Sequence, residues 1–70
     1  MTLRTVEPGK EVQIKSINTE DEALKSFLFS LGCYAGESVR VIFKKKRNLV
    51  LTIKNGRYSI DSDLASMIEV

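Results

Sequence analysis

Few side chains in this sequence are equipped for chemistry, and their spacing keeps them apart. The 70 residues include one cysteine, Cys33, and no histidine. That excludes an intrachain disulfide and a conventional zinc site. As a nucleophile or iron ligand, Cys33 needs a nearby cation or helix N-terminus to depress its pKa. It follows the end of a helical pattern instead, where the dipole disfavours a thiolate, so the core is its expected place. Glu20, Asp21 and Glu22 offer the hard oxygens that iron(II) or manganese takes. Consecutive helix positions point in different directions, however, so capping and solvation are the expected roles of these carboxylates. The serines have no partner suggested by spacing, and no nucleophile–base or acid–base pair assembles. Gly32-x-x-x-Gly36 lacks the Gly-Lys-Ser/Thr ending of a phosphate loop and reads as a helix stop followed by a turn. No enzyme activity, no cofactor and no metal site are expected.

The basic run Lys44-Lys45-Lys46-Arg47 is the other charged candidate. A net charge of +2 is too weak to imply nucleic acid. Most of the positive excess nevertheless falls in this run. Four cations at a bend suit a salt-sensitive contact with nucleic acid or an anionic membrane surface. They equally complement an acidic patch on a protein. Phe43 is the one aromatic beside them, which is sparse for a base-stacking platform. Nucleic acid is therefore the less expected occupant.

The elements that must position these residues are short. Seventy residues imply one domain, 1–70, with a thin core. Pro8-Gly9 reads as a turn, and Val12 and Ile14 alternate with polar neighbours as a half-buried strand does. Ile17 falls out of phase, so a bulge or strand end is expected near Ser16. Thr19-Glu20-Asp21-Glu22 matches a capping box with Thr19 as N-cap. Leu24, Phe27, Leu28 and Leu31 then form one apolar stripe of a helix of about three turns, with Gly32 as its stop and Phe29 off the stripe. Val39, Val41 and Phe43 alternate with Arg40, Ile42 and Lys44 in a strand, and Leu49, Leu51 and Ile53 mark its return. Asn55-Gly56 predicts a type I′ hairpin turn leading into a strand over 57–60. Asp61 or Ser62 caps one helical turn over 63–66, and Ile68 to Val70 is the last strand. The expected fold is mainly β: a small SH3-like barrel of about five strands, one inserted helix and a helical turn before the last strand.

Leu31-Gly32-Cys33-Tyr34-Ala35-Gly36-Glu37-Ser38-Val39 resembles the FeoA family motif, approximately Leu-Gly-Leu-x-Pro-Gly-x-x-Val after a helix. The opening, with Pro8-Gly9, Val12, Ile14 and Ile17, is similar too, as is the end with Arg57, Ile60, Leu64-Ala65, Ile68 and Val70. Cys33 replaces the usual aliphatic residue and Ala35 the usual proline. The resemblance implies an SH3-like binding module of ferrous iron uptake, docking on the cytoplasmic part of a FeoB-type membrane transporter. The docking surface expected is Phe29, Leu31, Gly32, Tyr34, Ala35 and Gly36. Lys44, Lys45, Lys46 and Arg47 are expected as a secondary, electrostatic contact. With no visible signal peptide and a start at Met1, a free-standing cytoplasmic protein without direct membrane insertion is expected. The alternatives are a nucleic-acid-binding barrel that uses the basic hairpin, or a detached FeoA-like domain of the repressor type.

Overall fold

The computed structural model describes residues 1–70. The chain passes through a 3-10 turn at Leu3–Thr5, strands β1 (Glu11–Gln13) and β2 (Ser16–Ile17), and helix α1 (Glu22–Ser30). Strands β3 (Ser38–Lys44), β4 (Asn48–Ile53) and β5 (Gly56–Asp61) follow, then the single turn α2 (Ser62–Ala65) and strand β6 (Ile68–Glu69). β1, β3, β4 and β5 form an antiparallel sheet in the order β1-β3-β4-β5, and β2 pairs with β6 in a second, smaller one.

Alternation drives the larger sheet. Val39 and Val41 of β3, Leu49, Leu51 and Ile53 of β4, and Ile60 of β5 all turn inward and are buried. Leu3, Val6 and Ile14 from the first part of the chain, Leu28 of α1, Cys33, Ala65 of α2 and Ile68 of β6 complete a core that contains no polar or charged residue. The first strand is two strands. After Gln13 the chain leaves β3, and at Ser16 it joins β6, pairing Ser16 with Glu69 and Ile17 with Ile68. The expected break near Ser16 is this change of sheet. It makes six strands rather than five, and β1 and β5 remain as edges of a ladder that does not close on itself.

Three local expectations need correction. The N-cap of α1 is Asp21, not Thr19: the Asp21 carboxylate accepts from the amides of Ala23 (2.9 Å) and Leu24 (3.3 Å). Thr19 accepts from the Asp21 amide instead (3.1 Å). A charged acceptor serving two helix amides is stronger than a hydroxyl serving one, so the helix starts two residues later than the capping box implies. Only nine residues long, α1 buries Leu28 alone of its apolar stripe, and Phe27 is 46% exposed. Phe43 is the second correction. The register moves from Val41↔Leu51 to Phe43↔Val50, so Ile42 is an extra residue in β3. This bulge takes Phe43 out of phase with Val39 and Val41 and leaves it 48% exposed.

The third correction concerns the β4–β5 turn. Ile53 pairs with Gly56, so the loop residues are Lys54-Asn55, and Lys54 alone has positive φ, at 56°. That excludes type I′, which needs positive φ at both loop positions. Gly56 is needed for a different reason: a Cβ there would fall on the Tyr58 ring, which covers it from two residues along the same face. Tyr58 in turn packs against the core. Gly56→Ala is expected to lower stability by about 1 kcal/mol, because displacing the ring outweighs the entropy gained by replacing glycine. Urea melts of Gly56→Ala, made in the wild-type and Tyr58→Ala backgrounds, check this. The loss should vanish in the second background.

Candidate functional site

The corner between α1 and β3 is built from two glycines in the left-handed region. Gly32, at φ +99°, ends α1. The Gly32 amide donates to the Phe29 carbonyl (2.9 Å) and the Cys33 amide to the Leu28 carbonyl (3.1 Å). This is the paired bonding of a Schellman motif, which satisfies two carbonyls the helix end would orphan. It also turns Cys33 inward, into the same core as Leu28. Burial raises the Cys33 thiol from 9.0 to about 11, because a thiolate would lose its hydration there. Neutral and 1% exposed, Cys33 fills the aliphatic slot.

Tyr34 to Glu37 then forms a turn closed by the Glu37 amide donating to the Tyr34 carbonyl (3.0 Å). Gly36 has φ +93° at the third position, as a type II turn requires, and Ala35 occupies the second, where proline is favoured. Ile14 clamps the turn. Its carbonyl accepts from the Gly36 amide (2.7 Å) and its amide donates to the Glu37 carbonyl (2.9 Å). The Gln13 side chain adds a bond from Nε2 to the Gly36 carbonyl (3.1 Å).

On this frame the Phe29 and Tyr34 rings stack, with centroids 5.2 Å apart and planes 13° from parallel. Tyr34 remains 47% exposed and Phe29 half-buried. Ala35 and Gly36 are exposed beside them, Gly32 is half-buried, and Leu31 packs against the core. The six residues named from sequence are thus brought into one corner, but Leu31 and Gly32 chiefly hold it together. Phe29, Tyr34 and Ala35 supply its surface.

The basic run lies at the other end of β3. Lys44 is half-buried, its Nζ donating to the Arg4 carbonyl (2.8 Å). Lys45 Nζ lies 5.9 Å from the centre of the Phe43 ring. Lys46 and Arg47 border a cleft with Arg4, Asp61, Ser62 and Asp63. Sequence reasoning missed Arg4, because only the fold brings the first turn to the hairpin. It also missed the exposure of Phe43, because no sequence signal marks the bulge. β3 runs from the corner to the tip over six residue steps, about 20 Å, so the two candidate surfaces lie at opposite ends of the strand.

No three Cys, Asp or Glu side chains come together as a metal set, and Asp21 is engaged in capping. The residues present therefore do not fit a metal centre. A second cleft, with Glu11, Glu37, Ser38, Arg40, Thr52 and Lys54, holds two exposed ion pairs, Arg40–Glu11 (3.5 Å) and Lys54–Glu37 (3.7 Å). Pairs so exposed contribute little. Neither cleft has a hydrophobic wall of the kind small-molecule sites use.

Residues 1–70 match the FeoA domain from end to end. The chain belongs to the FeoA family. It is therefore associated with ferrous iron transport, and its fold is the SH3-like one of that family. It is similar to a crystal structure of an iron uptake regulatory protein, FeoA, at TM-score 0.87 and 20% identity, over 97% of this chain and 93% of that one. The FeoA of Stenotrophomonas maltophilia, crystallised with zinc and described as a procaryotic SH3 domain protein, matches at TM-score 0.86 and 22% identity, over 97% and 86%. A manganese-dependent transcriptional repressor matches at TM-score 0.89 and 17% identity, over 97% of this chain but 39% of the repressor. At these identities the likenesses show the fold. No curated protein sequence matches the chain.

Two outcomes follow from the corner. Ala35 makes no hydrogen bond through its amide, so Ala35→Pro removes no donor and restricts the unfolded chain. Thermal melts should show a gain of about 0.4–1 kcal/mol, a rise of roughly 2–8 °C in Tm for a domain this size. Cys33 gives a pH dependence. The unfolded chain loses the thiol proton near 9.0 and the fold only near 11, so the unfolded form binds fewer protons between them. Stability should therefore fall from pH 9 to pH 11, by at most about 1.4 kcal/mol per pH unit from this group. Urea midpoints measured across that window should fall less steeply in Cys33→Ala.

Proposed function

We propose that this protein is a cytoplasmic accessory factor of ferrous iron uptake that acts by binding and not by catalysis. Its partner is the cytoplasmic part of a FeoB-type transporter, and its docking surface is the Phe29–Tyr34 corner. Membership of the FeoA family supports the pathway. The stacked aromatic pair supports the surface, since an exposed tyrosine held by a second ring and a doubly clamped turn loses little freedom on binding. Two glycines at positive φ and the Ile14 hydrogen bonds fix that turn before any partner arrives.

No helix is long and apolar enough to cross a membrane, which fits an accessory protein that borrows the transporter's membrane anchorage. Iron is cargo of the partner in this reading.

A pull-down with the transporter's cytoplasmic domain tests it, using Tyr34→Ala and Ala35→Glu. Both positions are exposed, so both variants should fold with unchanged circular dichroism. Tyr34→Ala should weaken binding about tenfold or more, as truncation of an interface anchor does. Undiminished binding by both folded variants rejects the corner as the docking surface. Gly32→Asp is a poor probe, because the place of its Cβ is 3.2 Å from Ile53 Cγ2 and its φ is +99°.

A further inference from the structure

Between Glu37 and Asp61 the chain carries seven basic residues and no acidic one; the rest carries four basic and nine acidic. The charge is thus segregated onto the β3–β4–β5 sheet. It is densest at the β3–β4 tip, where the fold adds Arg4 to Lys44, Lys45, Lys46 and Arg47. Two carboxylates, Asp61 and Asp63, border the same cleft, and Asp61 is committed to the Leu64 amide (2.8 Å). The cations keep the majority.

The same tip exposes two large apolar side chains. Ile42 is 36% and Phe43 48% exposed, and the bulge that turns Phe43 outward immediately precedes the cations. Lys45 lies over the Phe43 ring, so charge and apolar surface form one patch.

We propose that this tip seats the protein on an anionic phospholipid surface. Phe43 and Ile42 enter the headgroup layer, while Arg4, Lys45, Lys46 and Arg47 meet lipid phosphates and carboxylates; Lys44, held by the Arg4 carbonyl (2.8 Å), ties Arg4 to the tip. Charge complementarity points to a polyanion, and the apolar pair selects among polyanions. A nucleic acid uses the cations and can stack on Phe43, but it has no use for a branched aliphatic such as Ile42. An acidic protein patch needs cations at fixed positions, whereas Lys46 and Arg47 project from an exposed bend. A fluid layer of anionic headgroups needs no fixed geometry, and long lysine stems bridge its apolar and charged depths. This is contact at the interface and not a crossing of the bilayer. The seat lies at the far end of β3 from Tyr34, so it leaves the proposed partner corner free.

Co-sedimentation of the full chain with phosphatidylcholine vesicles containing about 30% phosphatidylserine tests the proposal. Binding is expected at about 0.1 M salt, with loss at about 0.5 M salt and on pure phosphatidylcholine. Each cation near the surface is worth roughly fivefold, so Lys45→Gln with Lys46→Gln should weaken binding about 25-fold. Phe43→Ser should weaken it severalfold, and Tyr34→Ala should leave it unchanged, which separates this seat from the transporter corner. Absence of binding to anionic vesicles at low salt overturns the proposal, as does equal binding to pure phosphatidylcholine. Undiminished binding by Phe43→Ser overturns the choice of a bilayer. Tight binding of duplex or single-stranded oligonucleotide by a chain that ignores vesicles assigns the tip to nucleic acid instead.

Discussion

Gly32 holds a backbone angle of φ +99°, and a side chain there would press on Ile53 Cγ2 at 3.2 Å. Helix and sheet meet closely at this point, where the positive φ and the tight approach both favour glycine, and the corner is arranged around the meeting. Because the helix must stop here, the Cys33 amide is free to return to Leu28, and the Cys33 side chain goes into the core. Because Cys33 goes in, Tyr34 comes out and stacks on Phe29. Ile14, where the chain passes from the larger sheet toward the smaller one, then bonds to both sides of the following turn. One close approach of backbone to side chain thereby fixes the end of α1, the start of β3 and the register of β1.

The Ile42 bulge does the opposite work at the far end of β3. Gly32 brings elements together, whereas the bulge releases a strand from the core. Before it, Val39 and Val41 are fully buried; after it, Phe43 is half exposed. A regular strand of the same sequence would carry Phe43 inward at the mouth of a core that is already filled by Leu49 and Ile60. The added residue increases the local twist and frees the hairpin tip from the packing that orders its base. β3 is consequently a strut with a rigid, glycine-built end and a charged, apolar-tipped end. That separation is why a chain of this size is able to present two dissimilar surfaces.

Much of this was legible in the residues. Alternation in 39–53 gives the central hairpin, Pro8-Gly9 and Gly36 mark their turns, and Asp61 caps the helical turn as its type and place suggest. The FeoA-like spacing from Leu31 to Val39 locates the corner. What stayed hidden has a common cause: competition between near-equal local choices. Thr19 and Asp21 are both good caps, and only the bonds made to Ala23 and Leu24 decide between them. Asn55-Gly56 is a strong I′ signal, but the pairing of Ile53 with Gly56 moves the loop one residue upstream, and Gly56 serves Tyr58 instead. The joining of Arg4 to the basic run depends on a contact 40 residues apart in sequence, which no local pattern encodes.

The two departures from the family motif lie inside the corner, so it matters what holds the corner in shape. Proline at residue 35 would preset one φ; the positive φ that defines the turn belongs to Gly36, and the hydrogen bonds that close it come from Ile14 and Glu37. None of these passes through the Ala35 side chain. Cys33 occupies its slot as a neutral, desolvated small hydrophobe, with its thiol proton held to about pH 11. The backbone of the corner is therefore set by groups that the chain retains. What changes is the side chain beside Tyr34, where a methyl replaces a ring. A partner that reads the path of the backbone and the Phe29–Tyr34 stack meets the same shape with less apolar cover at its rim. On the proposed docking role, selectivity for a partner would then be tuned at residue 35 without disturbing the fold.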